Sequence, residues 1–147
     1  MGRKDLEAYR LLIADVYELA GASRQSSEAL ARDADQTAAR WHVSSVISDG
    51  PRTVSSAARR LGLARQSVQR VVNDLVEAGQ VELRRNPDHA RAPLVVLTEA
   101  GRATLRTLVA RSDTDRAHVL GRAGLTADEL DGARDVVCRL VAALAEP

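Results

Sequence analysis

Between Thr53 and Leu97 the hydrophobic pattern switches from a helical period to an alternating one, and no other stretch limits the fold so tightly. Behind Thr53, a side chain suited to cap a helix N-terminus, Val54, Ala57, Ala58 and Leu61 recur at helical spacing. Gly62-Leu63 turns the chain. A second helix is expected from about Ala64 to Ala78, closed by Gly79 at the position where helices end in a left-handed residue. Val81-Glu82-Leu83-Arg84 then alternates apolar and polar. After the turn-rich run Asn86–Pro93, Leu94-Val95-Val96-Leu97 supplies a second strand, and the two strands predict a β-hairpin. Helix, turn, helix, strand, loop, strand is the order of a winged helix-turn-helix.

The second helix has two unlike faces. Val68, Val71, Val72 and Leu75 cluster on one side, toward Val54, Ala58 and Leu61. Gln66, Gln69, Arg70 and Asn73 point the other way, flanked by Arg65 and Ser67. Outward helix faces are usually filled with Glu and Lys. Forked amide and guanidinium groups instead match base edges: Arg to guanine, Gln or Asn to adenine, on an element of the width the major groove admits. The plain alternative is a solvated face. In the hairpin loop Arg85, His89 and Arg91 are placed to reach phosphates or the adjacent minor groove, which attracts arginine. With Thr53 and Ser55 at the start of the preceding helix, these complete the candidate DNA contacts. From Pro51 to Pro93 eight arginines face four acids, an excess of four on a chain of net charge +1. A basic middle between mildly acidic ends is compatible with a phosphate-facing module, and equally with an arginine-rich surface.

The flanks read as helices. Leu6, Tyr9, Ile13, Val16 and Ala20 form a stripe over Asp5–Ala20, with a break or kink expected at Gly21-Ala22-Ser23 and a resumption over Ser26–Arg32. Thr37 is the N-cap candidate for a helix through Ser48 bearing Trp41, Val43, Val46 and Ile47, stopped by Asp49-Gly50-Pro51. Thr98 opens a helix with Leu105, Leu108 and Val109 on one face, followed by a polar, exposed stretch over Arg111–Arg116. Thr126-Ala-Asp-Glu129 is a capping box, and the helix behind it carries Leu130, Ala133, Val137, Leu140, Val141 and Leu144. With one Trp, two Tyr and no Phe, the core must come from Leu, Val and Ala, which suits packed helices.

Several classes are excluded. No apolar run approaches the ~18 residues that span a bilayer, so no membrane partner is expected. The N-terminus lacks the apolar stretch of a signal peptide. One cysteine, Cys138, cannot form an intrachain disulfide and suits a reducing cytoplasm; beside Val137 it reads as a small buried core residue rather than a redox sensor. There is no glycine-rich phosphate loop, nucleophile elbow or paired Cys or His motif, so no catalytic residue, no cofactor and no enzyme is expected. His42, His89 and His118 are far apart, and no metal site is expected.

The run Thr53-Val-Ser-Ser-Ala-Ala-Arg-Arg-Leu-Gly-Leu-Ala-Arg-Gln-Ser-Val-Gln-Arg-Val-Val-Asn-Asp-Leu resembles the DNA-binding core of the MarR family of bacterial regulators. Arg85-Asn-Pro-Asp-His-Ala-Arg-Ala-Pro-Leu-Val-Val-Leu-Thr-Glu-Ala-Gly101 resembles that family's wing and the start of its next helix. The resemblance is detailed from Thr37 to Gly101 and architectural outside it. It implies a mainly α fold with a small β-hairpin: an N-terminal dimerisation region over 1–36, a winged helix-turn-helix over 37–100, and C-terminal dimerisation helices over 101–147. It implies a homodimer on pseudopalindromic double-stranded DNA, usually repressing. It also implies a small aromatic or phenolic effector held between the dimer helices and the winged helix. Tyr17, Trp41 and His42 are the candidates to line that pocket, with Arg40 or His42 pairing an acidic ligand; Trp41 as a core plug is the plainer reading. By position, Arg65–Arg70 is the base-reading turn and Arg91 the wing arginine. Three residues depart from the pattern: His89 replaces an acid that orients the wing arginine, Ala90 a basic residue, and Ala64 a Ser or Thr cap. The rival reading is a winged helix that binds protein and not DNA, but such a surface would carry large apolar residues where Gln66, Gln69 and Arg70 stand.

Overall fold

The computed structural model describes residues 1–145. Its elements are α1 (Arg3–Arg32), α2 (Ala38–Ile47), α3 (Val54–Leu61), α4 (Arg65–Glu77), β1 (Val81–Arg84), β2 (Leu94–Leu97), α5 (Glu99–Ala123) and α6 (Ala127–Ala145). They divide into two compact units, residues 1–111 and residues from Ser112 onward. The fold is mainly helical with one antiparallel hairpin, as the sequence predicts.

In the first unit, α2, α3, α4 and the hairpin share one core. Val43, Ile47, Val54, Ala57, Ala58, Val68, Val72, Leu75, Val81, Val95 and Leu97 are all buried in it, with Leu61 and Val71 at its margin. The expected apolar face of α4 is therefore the buried one. Capping marks the helix starts. The Thr37 hydroxyl accepts from Arg40 N at 3.1 Å, and the Thr53 hydroxyl accepts from Ser56 N at 3.1 Å. α3 ends at Gly62 with φ 65°, where Leu63 N donates to Ala58 O at 3.0 Å, a closure that favours glycine. β1 and β2 pair Val81 with Leu97 through Arg84 with Leu94. A second small core joins α1, α2 and α5, where Ala31, Trp41 and Leu108 are buried together.

One expectation fails here, and another holds at all but one residue. α1 runs unbroken through Gly21, where an added β-carbon would meet nothing within 4 Å. A helix-interior glycine costs only about 1 kcal/mol, and the good helix formers on either side outweigh it. The stretch Arg111–Arg116, which is helical, is exposed as expected except at Ser112, which is fully buried. Leu105, Leu108 and Ser112 are spaced by three and four, so this polar residue shares a face of α5 with them.

In the second unit the capping box forms. Thr126 N donates to the Glu129 carboxylate at 2.9 Å, and Glu129 N donates to the Thr126 hydroxyl at 3.4 Å. The donation from Thr126 N, with a second from the Thr126 hydroxyl at 2.9 Å, holds the Glu129 carboxyl below the usual carboxylate pKa. No described residue of α6 is buried. Cys138 is accordingly exposed, not buried as its apolar neighbours suggest, because amphipathic spacing says which face is apolar and not whether anything covers it. No described helix is long and apolar enough to cross a membrane.

Candidate nucleic-acid interface

α3 and α4 are joined by the short turn Gly62–Ala64. The α4 face opposite the core is open: Arg65, Gln66, Ser67, Arg70 and Asn73 are exposed and Gln69 is half-buried. Gln69 Nε2 donates to Asn73 Oδ1 at 3.0 Å, so these two amides, one helical turn apart, face each other on the surface. The N-cap position of α4, Ala64, provides no side-chain hydrogen bond, as its residue type requires.

The wing folds back toward this helix. Thr53, Ser55, Arg65, Gln69 and Arg91 line one small recess, with Val54, Leu83, Ala92 and Pro93 forming its apolar walls. Residues from the start of α3, the start of α4 and the wing, as much as 38 positions apart in the chain, thus meet at one surface. Gln66, Ser67, Arg70 and Asn73 continue outward along α4. Arg85 and His89 are exposed on the loop outside this recess. Ion pairs among the described residues include Arg84 with Glu82, Arg106 with Glu99 and Arg139 with Asp135. Arg65, Arg70, Arg85 and Arg91 have no acidic partner in that set, which leaves four cations available to an external anion.

Two residues that hold this surface together were missed in the sequence. Arg52 sits between Pro51 and the cap Thr53, where a loop residue was expected. Its backbone forms a β-bridge to Val95, with Val95 N donating to Arg52 O at 2.7 Å. Its Nε donates to Val46 O at 3.0 Å. It therefore fastens the end of α2 to the wing strand, and no period or motif announces it. Asn86 is the second. Its Nδ2 donates to Ala92 O at 2.9 Å, and its Oδ1 accepts from Asp88 N at 3.1 Å. Asn-Pro is a turn-starting dipeptide, so a signal for this residue did exist.

The residues proposed for a ligand do not gather within the chain. Trp41 is 2% exposed in the small core, and its ring centroid lies 6.3 Å from that of the partly buried His42. Tyr17 is 75% exposed. It lies fourteen residues before Ala31, the α1 residue packed with Trp41, which is about 21 Å along a helix axis.

A helix-turn-helix with a β-wing, presenting unpaired arginines and amides on the exposed face of its second helix, is a DNA-binding winged-helix module. The model of the MarR family matches residues 37–92. The chain is 49% identical over 138 residues to the uncharacterized protein Rv2011c of Mycobacterium tuberculosis, covering 90% of this chain and 92% of that one. The M. tuberculosis transcriptional regulator MOSR, solved in complex with DNA, superposes with TM-score 0.67 at 25% identity over 90% of this chain and 96% of its own. PcaV from Streptomyces coelicolor, solved with its natural ligand, gives TM-score 0.63 at 25% identity over 86% and 91%. The chain belongs to the MarR family: it is a DNA-binding transcription regulator, not an enzyme.

Proposed function

We propose that the chain acts in the cytoplasm as a homodimer on a pseudopalindromic operator, with one α4 in the major groove of each half-site and one wing beside it. The observation that carries this reading is the surface where Arg65 and Gln69 of α4 meet Arg91 of the wing. Base contacts are assigned to Arg65, Gln66, Gln69, Arg70 and Asn73. Positioning contacts to the backbone are assigned to Thr53, Ser55, Ser67, Arg85, His89 and Arg91. Gln69 and Asn73, already bonded to each other, are suited to read adenine as a pair.

Dimerisation through residues 1–36 and 101–147 is supported by what those helices leave in water. Leu11, Leu19 and Tyr17 of α1 and Val141 and Leu144 of α6 are each more than 60% exposed, an apolar load that isolated helices do not normally carry. Repression and release by a small aromatic ligand follow from family likeness. The adjacent rings of Trp41 and His42, and a similar protein solved with its ligand, support the second.

The test is selection of bound duplexes from a random library, followed by titration of the winner at two salt concentrations. A two-fold-related site with half-sites about one helical turn apart, and affinity that falls steeply with salt, is the expected result. Failure to enrich any sequence, with folded dimer at low salt, would overturn operator recognition and favour a protein partner.

A further inference from the structure

We propose that Asn86 is the positioning residue of the wing, setting the direction of Arg91 toward DNA through the backbone of Ala92. The inference deepens the reading of the wing as a DNA contact and rests on it.

The loop between β1 and β2 consists of two turns in series. His89 N donates to Asn86 O at 3.3 Å and Ala92 N donates to His89 O at 3.2 Å, both longer than the usual 2.9–3.0 Å. Such bonds alone would leave the loop loosely held. The Asn86 carboxamide ties the two turns together at their ends, taking Asp88 N on its oxygen and giving a hydrogen to Ala92 O at 2.9 Å. Asn86 is 9% exposed, whereas Arg85 and residues 87–91 are all exposed, so this is the buried polar joint of an otherwise solvated loop.

Local chemistry makes the joint rigid. Pro87 presets the first turn and restricts Asn86 to extended backbone, and asparagine readily accepts from the N–H two residues on. Ala92 directly follows Arg91. Pinning the Ala92 carbonyl therefore sets where the Arg91 side chain leaves the loop, and Ala92 and Arg91 line the same recess as Arg65 and Gln69. The His89 imidazole, at the junction of the two turns, makes no hydrogen bond within the chain among the described residues and so offers no competing anchor.

The experiment is a double-mutant cycle on the full chain, using a fluorescein-labelled duplex selected from a random library on the wild-type protein. Asn86→Asp keeps the acceptor for Asp88 N but sets a carboxylate against the Ala92 carbonyl. It should weaken binding roughly tenfold and make the log affinity against log salt slope shallower by about one. Arg91→Ala should lose a similar amount, and Asn86→Asp added to Arg91→Ala should change affinity by less than about twofold. Asn86→Ala, which breaks the tie without adding charge, repeats the cycle, with circular dichroism melting showing that each variant is folded at the titration temperature. Wild-type affinity for both Asn86 variants, or an equal loss with and without Arg91, overturns the positioning role. Unchanged affinity of Arg91→Ala alone instead overturns the wing contact itself, and the positioning role with it.

Discussion

The backbone carbonyl of Gln80 occupies the space where a β-carbon on Gly101 would stand. That carbon would also lie 2.9 Å from the Gln80 carbonyl carbon and 3.1 Å from Leu97 Cδ2. The contact belongs to a corner in which Thr98 N donates to Gln80 O at 3.0 Å and the Thr98 hydroxyl donates to Gly79 O at 2.6 Å while accepting from Gly101 N at 3.1 Å. The residues that follow α4 are thereby locked to the start of α5. The Leu-Thr-x-x-Gly run after the wing has its physical explanation here. Threonine satisfies backbone groups on both sides, and glycine is the residue that lets the two backbones approach.

Gly101→Ala should therefore lower stability by about 1–3 kcal/mol through overpacking, although helix propensity alone predicts a gain. Gly21→Ala, in open space within α1, should instead gain about 1 kcal/mol. Urea melts of the two variants check the opposite signs; equal shifts would refute the corner.

A cap can be added where the sequence omits one. Ala64 has extended backbone and no side-chain bond to α4. Ala64→Ser should raise stability by about 1 kcal/mol by accepting an N–H of the first turn. An unchanged denaturation midpoint would mean that the first turn of α4 is already satisfied.

Trp41 gives an internal probe of the small core. It is the only tryptophan, so native emission should be blue-shifted and should move red on unfolding. Trp41→Ala should cost about 3–5 kcal/mol. A red-shifted native spectrum would contradict the burial seen here.

Arg70 is exposed and has no acidic partner among the described residues. If it contacts a base, Arg70→Ala should cost about 1–3 kcal/mol on the selected operator and much less on random duplex. Equal losses on both would reassign it to the phosphate backbone.

Acid should loosen the start of α6. Glu129 is lowered in pKa by the backbone and hydroxyl hydrogen bonds of Thr126. A lowered folded pKa means stabilisation that is complete above the ordinary carboxylate value and lost as pH falls through the folded one. The melting-temperature gap between wild type and Glu129→Gln should shrink on acidification across that range. A gap constant with pH would show that the carboxylate charge plays no part.

Much of the fold is legible in local pattern because its helices are signalled locally. Thr37, Thr53 and Thr126 cap where capping residues were expected, Gly62 and Gly79 close helices with positive φ, and the Val81 and Leu94 runs pair as foreseen. The misreadings share a cause. Gly21 signals a break by type, yet a single glycine cannot outweigh a helix of thirty residues. Ser112 looks exposed because polarity suggests water, whereas it is fully buried on the α5 face that also carries Leu105 and Leu108. Cys138 looks buried because its neighbours are apolar, although no described residue of α6 is buried.

The candidate interface divides along the same line. Periodicity alone assigned Val68, Val72 and Leu75 to the core and left Arg65, Gln66 and Arg70 outward, because helix geometry follows from sequence spacing. That Arg91 comes beside Arg65 and Gln69, that Asn86 ties Ala92, and that Tyr17 stands far from Trp41 were settled by the tertiary structure. Those relationships depend on how elements dock and where loops close. Such distances are fixed by packing and by the hydrogen-bonding needs of buried groups, and the spacing of residues along the chain does not encode them.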